Sequence, residues 1–411
     1  VTPQPSERLN ALDAVRGIAL LLGVVFHAAF SFLPGPQLWP VIDASRSPVL
    51  AGLLFVIHAF RMITFFLIAG FFAHLSLHRR GAWGFVGDRL KRIALPLLVG
   101  WPIVFFSISV VVIWAFLAAH GGVVPKTSPA PPPITVQTFP LTHLWFLYVL
   151  LLLYAATLIL RGLVVLVDGE GALRRGLDRL LAWMIGNWAP VLLAAPLAAA
   201  LFVQPAWIAW FGVPTPDTGF VPSPPAVVAF GGAFALGYLL HRQAGRLEVW
   251  RKRWALNLGV AVLCLGAALS LIGPQPLLGP ITDDRLRLVY AALYALGAWS
   301  AAFALIGFAL QFLSGYSAIR RYLADASYWI YLVHLPLVMA LQVLVSASPR
   351  PWVFKFPAIL AVALAVMLLS YQLLVRHSFV GAVLNGPRPR RARTEADAAA
   401  AAAPQPAGPA S

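Results

Sequence analysis

Ten runs of this 411-residue chain are long and apolar enough to cross a bilayer as helices. They lie at roughly 11–32, 50–76, 93–119, 142–167, 180–204, 225–241, 254–272, 286–312, 327–347 and 354–375. A helix satisfies its own backbone in lipid, and the strand-type alternation of a membrane barrel is absent. The expected fold class is therefore all-α: a polytopic integral membrane protein of about ten transmembrane helices. Composition agrees, with 60% hydrophobic residues and only 11% charged.

Loop charge orders these runs. Arginines and lysines crowd every second connection: 79–92, 161–179, 242–253, 320–321 and the stretch after Arg376. The intervening loops hold few. Such alternation predicts that both termini are cytoplasmic in an inner, cytoplasmic membrane crossed many times. The net charge of +16 is then positive-inside bias and calls for no nucleic acid. Residues 8–376 read as one membrane domain, without an internal repeat or a soluble domain. Residues 386–411 are Pro/Arg-rich and then Ala/Pro-rich, the composition of a disordered cytoplasmic tail. The far-side stretches 125–140 and 213–225 are proline-rich and read as extended, helix-free lids. Cys264 is the only cysteine, so no intramolecular disulfide forms. The first apolar run lacks the basic lead and small-residue cleavage site of a signal peptide.

Ionisable residues inside these runs carry the functional signal. The first run contains Asp13, Arg16 and His27. Eleven residues of helix are about three turns plus ~20°, so Arg16 and His27 share a face, roughly 16 Å apart along the axis. With Arg16 at the membrane surface, His27 lies near mid-bilayer, where an ionisable side chain is costly and faces protein or water. The second run places His58 and Arg61 on one face at comparable depth. A packing histidine, and an arginine satisfied by carbonyls, are the structural readings of these positions. Arg89 and Arg92 open the third run on one face, suited to the phosphates of a nucleotide-bearing donor or to an ordinary basic flank. His143 begins the fourth run, where an aromatic belt or a site would put it. Tyr331 and His334 lie within the ninth run, facing the same cavity on the cost argument. His74 and His78 stand at i, i+4 with no carboxylate or cysteine beside them, so no metal is expected.

LDAVRGIALLLGVVFH, with its Arg and His eleven apart, resembles the first helix of the integral-membrane acyltransferase-three family. Arg89-Leu90-Lys91-Arg92 is similar to that family's Arg-x-x-Arg motif. HAFRMITFFLIAGFF, HLWFL and SYWIYLVHLPL resemble the branch of glucan biosynthesis protein C, the glucan succinyltransferase. The likeness runs over about residues 8–376, with the motifs in order. It implies a membrane O-acyltransferase that moves succinyl or acetyl from cytoplasmic acyl-CoA to a hydroxyl of a sugar, glycan or other envelope acceptor, in contact with membrane lipid. It implies His27 as the essential histidine, Arg16 as its paired arginine, and Arg89 and Arg92 as donor-side arginines. His58, Arg61, His143 and His334 match the narrower branch. On chemistry, His27 suits a general base or a transient acyl carrier, and Arg61 an oxyanion partner. Asp13 would orient Arg16, or His27 through water. The rival readings are a transporter or flippase of an anionic or glycan substrate, and a non-catalytic sensor.

Overall fold

A computed structural model describes residues 5–36, 38–123, 133–186 and 188–386. The tail expected to be disordered lies almost wholly outside the described residues, as does 124–132 of the first proline-rich lid. The chain is an all-α membrane bundle, and no strand is formed among the described residues. Its helices are α1 (Pro5–Ala29), α2 (Pro48–Arg89), α3 (Leu95–Ala119), α4 (Trp145–Val167), α5 (Ala172–Met184), α6 (Ala189–Val203), α7 (Pro224–Ala226), α8 (Gly232–Leu240), α9 (Leu247–Ile272), α10 (Asp284–Phe312), α11 (Ala318–Ser346), α12 (Trp352–Ser370) and α13 (Phe379–Asn385). Some consecutive helices run on through π or 3-10 turns of five or six residues, as α2 does into α3 through Leu90–Ala94.

Among the described residues, seven continuous helical stretches are long and apolar enough to span a membrane. Two of them are double. The stretch Pro48–Ala119 has 72 residues and turns at Gly81, whose φ of 69° only glycine adopts without strain. The turn is a reversal. Arg89 Nη2 donates to Ser76 Oγ at 3.3 Å, although 13 residues of straight helix would hold them ~20 Å apart. The stretch Pro224–Ile272, of 49 residues, breaks likewise at Gln243, which has left helical φ/ψ. The remaining expected span, 180–204, is divided. Its first residues belong to α5, bent 100° from α6. α5 carries Arg174, Arg175, Asp178 and Arg179 among its leucines, so its two-sidedness suits the membrane surface and not the interior. The apolar helix of this stretch is therefore α6, which starts at Ala189, later than hydropathy alone places it.

α10 is the centre of the bundle, with α1, α2, α6 and α9 packed around it. Lipid gives no hydrophobic drive for helices to associate, so close approach must supply the contact energy. Small residues allow that approach. A Cβ on Gly307 of α10 would sit 2.2 Å from the Trp250 carbonyl oxygen of α9. Between α2 and α8 the fit is reciprocal: Gly70 abuts the Phe234 carbonyl and Gly237 the Leu67 carbonyl. α1, α2, α4 and α11 surround the cavity described below. Asn10 donates to the Ser314 carbonyl and Asn385 to the Asp325 carbonyl, so the start of α1 and the end of α13 share one end of the bundle.

Gly237→Ala places a methyl 1.8 Å from the Leu67 carbonyl oxygen, which the backbone must move to accommodate. The expected loss is about 1–3 kcal/mol. Gly232→Ala, five residues earlier on α8 with open space around it, is the control and should leave stability unchanged or slightly raised. Thermal unfolding in one detergent measures both.

Candidate functional site

A cavity of about 1190 Å³ runs through the bundle from the arginine-rich end to the loops at the opposite end. Asp13, Arg16, His27, His58, Arg61, Arg89, Arg92, His143, Tyr331 and His334 all line it. The residues singled out from the sequence are thus brought together along one passage, in two groups.

The first group sits midway. Arg61 of α2 lays its guanidinium carbon 4.6 Å from the centre of the Phe26 ring, on which the His58 ring also stacks at 5.2 Å. Gly23 of α1 makes this possible, because a Cβ there would lie 2.7 Å from Arg61 Nη1. Arg61 is buried, and its Nε finds no hydrogen-bond partner among the described residues. The His27 ring lies 5.2 Å from His334, and His334 lies 4.9 Å from His143. The three imidazoles form a contiguous row.

Prolines and carbonyls fix the orientation of that row. Pro336 has no N–H to give the Leu332 carbonyl one turn back, so that oxygen is freed inside α11. His143 Nε2 lies 3.3 Å from it and 3.0 Å from the Tyr331 carbonyl oxygen. His334 Nδ1 lies 2.8 Å from the same Tyr331 oxygen. Carbonyls only accept, so these two ring nitrogens carry the protons. His143 Nδ1 and His334 Nε2 are then lone pairs, both buried and without a protein partner. Tyr331 Oη donates back to the His143 carbonyl at 2.8 Å, which locks α11 to the start of α4. His27 Nδ1 and His58 Nδ1 are likewise without a partner among the described residues. A row of imidazole acceptors beside an uncompensated guanidinium can take a proton from a hydroxyl and stabilise an oxyanion.

The second group occupies the end shared by the start of α1 and α13. Buried Asp88 is its hub, with Arg80 at 3.0 Å, Arg89 at 2.7 Å and Arg92 at 3.2 Å. Arg89 also contacts the Tyr154 hydroxyl at 3.5 Å. The π turn Leu90–Ala94 falls on this motif, ahead of Pro96. Pro96 leaves the Arg92 carbonyl without its helical donor, and the Tyr328 hydroxyl donates to it instead. Asp13 pairs with Arg16 at 3.3 Å and with Arg321 at 3.6 Å. Six arginines (Arg16, Arg79, Arg80, Arg89, Arg92 and Arg321) against Asp13, Asp88 and Asp325 leave this part of the lining with an excess of three positive charges. No group of side chains suited to holding a metal occurs among the described residues.

His143 is not the interfacial anchor that its place at the start of an apolar run allows. The 3-10 turn Thr142–Leu144 delivers it inward, onto α11. Three participants went unread in the sequence. Gly23 yields space to Arg61. Trp39 stacks on His27 at 5.8 Å and on Phe30 at 4.6 Å. Gln342, almost wholly buried, donates to the His27 carbonyl at 2.9 Å and accepts from Trp39 Nε1 at 2.9 Å. A glutamine in the middle of an apolar run was the available signal. A buried Lys355–Asp43 pair at 2.9 Å pins the loop that carries Trp39.

The family model described as "Acyltransferase domain" matches residues 9–372. Among curated proteins, "Glucans biosynthesis protein C" of Shigella boydii serotype 4 (strain Sb227) is 28% identical over 153 residues, 37% of this chain and 39% of that protein. The protein of the same name from Escherichia coli (strain SMS-3-5 / SECEC) is 29% identical over the same shares. The aligned part thus spans well under half the length of these relatives. No solved structure matches.

Gln342→Leu keeps the volume and removes these two hydrogen bonds and a third, from Gln342 Nε2 to the Ala28 carbonyl, so that Trp39 Nε1 and the His27 carbonyl lose their side-chain partner. The expected cost is about 1–3 kcal/mol. Thermal unfolding measures the loss; an unchanged midpoint would show that Gln342 does not tie Trp39 to α1.

Proposed function

Since the chain belongs to the acyltransferase domain family, we propose that it is a membrane O-acyltransferase that moves an acyl group from cytoplasmic acyl-CoA to a hydroxyl of a glycan or similar envelope acceptor. The observation that carries this reading is the single cavity joining the arginine end to the Arg61–histidine node. In this reading the arginine end faces the cytoplasm of a cytoplasmic membrane and both termini lie on that side, as the loop charges require. The donor's phosphates dock on Arg89, Arg92 and Arg16, where planar guanidiniums offer paired donors. Asp88 holds Arg89 and Arg92 in place beforehand.

Arg16 and His27 are roughly 16 Å apart along α1, a distance that the pantetheine arm bridges. Its thioester then lies beside Arg61 and His27. The acceptor hydroxyl oxygen attacks the thioester carbonyl carbon as His27 takes its proton. The negative charge develops on the carbonyl oxygen, against Arg61. Collapse breaks the C–S bond, and the thiolate leaves with the proton that His27 returns. His334 and His143 extend the row of acceptors behind His27. Succinyl is the acyl group favoured by the likeness to glucans biosynthesis protein C, with acetyl second. A guanidinium lacking a carboxylate partner also suits an acyl group that ends in a carboxylate.

A transporter is the second reading, favoured by a lining that reaches both ends of the bundle. Donor turnover by purified protein separates the two; substrate flux without turnover would favour transport.

His27 and the two arginines should fail differently. His27→Ala should abolish transfer and leave CoA affinity within about twofold, because it acts on the reacting bond. Arg89→Ala and Arg92→Ala should each weaken CoA binding by about 1–3 kcal/mol, roughly 5- to 150-fold. Lysine should restore only part, since an ammonium lacks the planar fork. CoA affinity and acyl transfer measured in one detergent decide this. Wild-type transfer by His27→Ala would overturn the catalytic role. Wild-type CoA binding by both arginine variants would place the donor elsewhere.

A further inference from the structure

The cavity changes character along its length. Its arginines lie at one end and at Arg61; past the histidine row, no lysine or arginine lines it among the described residues. The lining there is aromatic and aliphatic, with Gln204, Thr142 and Thr215 as its neutral polar side chains, and its one ionisable group among the described residues is Asp217. Two loop segments build it. Residues 204–215 are held rigid: Trp207 Nε1 donates to the Gly212 carbonyl at 2.6 Å, and Tyr290 Oη to the Ala209 carbonyl at 2.8 Å. Gly212, at φ 61°, has Tyr294 where a Cβ would go, so this loop has no room to shift. The second segment clasps the first lid. Thr142 N–H donates to the Asp217 carbonyl at 3.1 Å, and Gly219 N–H to the Phe139 carbonyl at 2.8 Å.

Asp217 is ringed by protein yet open to the cavity. Its side chain is solvent-accessible, while burial pushes its carboxyl above the usual range and the Asp217 and Thr218 amides pull the other way. It forms no ion pair with a basic group among the described residues. Beside it, Thr142 holds φ at 55°, a strained value for a β-branched residue, and its buried Oγ1 has no partner. The chamber connects to the reacting centre through stacked rings: Phe211 on Phe30, Phe30 on Trp39 and Trp39 on His27.

We propose that this chamber is the acceptor subsite and takes an uncharged sugar, with Asp217 accepting hydrogen bonds from ring hydroxyls, the Thr142 hydroxyl completing the polar contacts, and Trp39 facing the apolar side of the ring. This rests on the acyltransferase reading above and names the acceptor's chemical class. A carboxylate accepts strongly from hydroxyls, and an aromatic face covers C–H surface. With no cation in the chamber, a carboxylate or phosphate on the acceptor would meet Asp217 unpaired and be rejected. Donor and acceptor are thus sorted by charge, each to its own end of the cavity.

The test is calorimetric titration of the purified full chain with a neutral gluco-oligosaccharide and with its carboxymethylated form. The wild type should bind the neutral sugar and bind the carboxymethylated one at least about tenfold more weakly. Asp217→Ala should lose at least about tenfold in neutral-sugar affinity, and Asp217→Asn should lose less while narrowing the difference between the two sugars. CoA affinity, measured on each variant, shows that the fold is intact. Wild type that does not bind the neutral sugar, or Asp217→Ala that binds it as well as wild type, overturns the proposal. Sugar binding that depends on Asp217 without donor turnover would sustain the subsite and defeat the acyltransferase reading. Donor turnover with sugar binding indifferent to Asp217 would do the reverse.

Discussion

A guanidinium in the middle of a membrane protein without a carboxylate beside it is the constraint to which the rest of this fold answers. Arg61 is buried, its Nε is unpartnered among the described residues, and its charge rests on the face of Phe26. Such a group is tolerated only where protein or water replaces lipid around it. The cavity supplies that surrounding, and Gly23 gives up a side chain so that the guanidinium fits against α1. A carboxylate here would neutralise Arg61 and leave nothing to meet a developing negative charge. Leaving it unpaired costs stability and preserves electrostatic capacity, the usual exchange at a reacting centre.

The same economy governs the backbone. Pro96, in the first turn of α3, and Pro336, inside α11, each strip one carbonyl of its helical donor. In lipid a bare carbonyl is expensive, so each is answered by a side chain from another helix: Tyr328 for the Arg92 carbonyl, His143 for that of Leu332. These answers also position the site. The first ties α11 to the arginine motif. The second sets which nitrogen of His143 carries the proton and turns the other toward the cavity. Helix-breaking residues thereby become fixtures that hold two ends of one passage in register.

Much of this was legible in the sequence because membrane energetics are local and severe. Apolar length gave the helices, and basic loops gave their alternation. Arg16 and His27 share a face through helical periodicity alone. What escaped depended on contacts between distant segments. The apolar helix of the fifth run starts late because α5 is two-sided, which a hydropathy average hides. His143 stands at the edge of an apolar run, and only the inward 3-10 turn against α11 makes it a neighbour of His334. Gly23 and Trp39 are unremarkable in composition and acquire meaning only through Arg61 and His27. Asp217 sits among prolines in what reads as a lid, and its place beside Thr142 comes from loops far apart in the chain.

The central claim is that the donor's reacting carbon comes to rest between Arg61 and His27 while its phosphates stay on Arg89 and Arg92. An experimental structure of the His27→Ala protein with acyl-CoA bound tests it most directly. The account predicts the thioester oxygen within about 3.5 Å of the Arg61 guanidinium, the diphosphate on Arg89 or Arg92, and the acyl chain pointing past His334. A thioester held at the arginine end, or bound outside the cavity with Arg61 facing empty space, would contradict it.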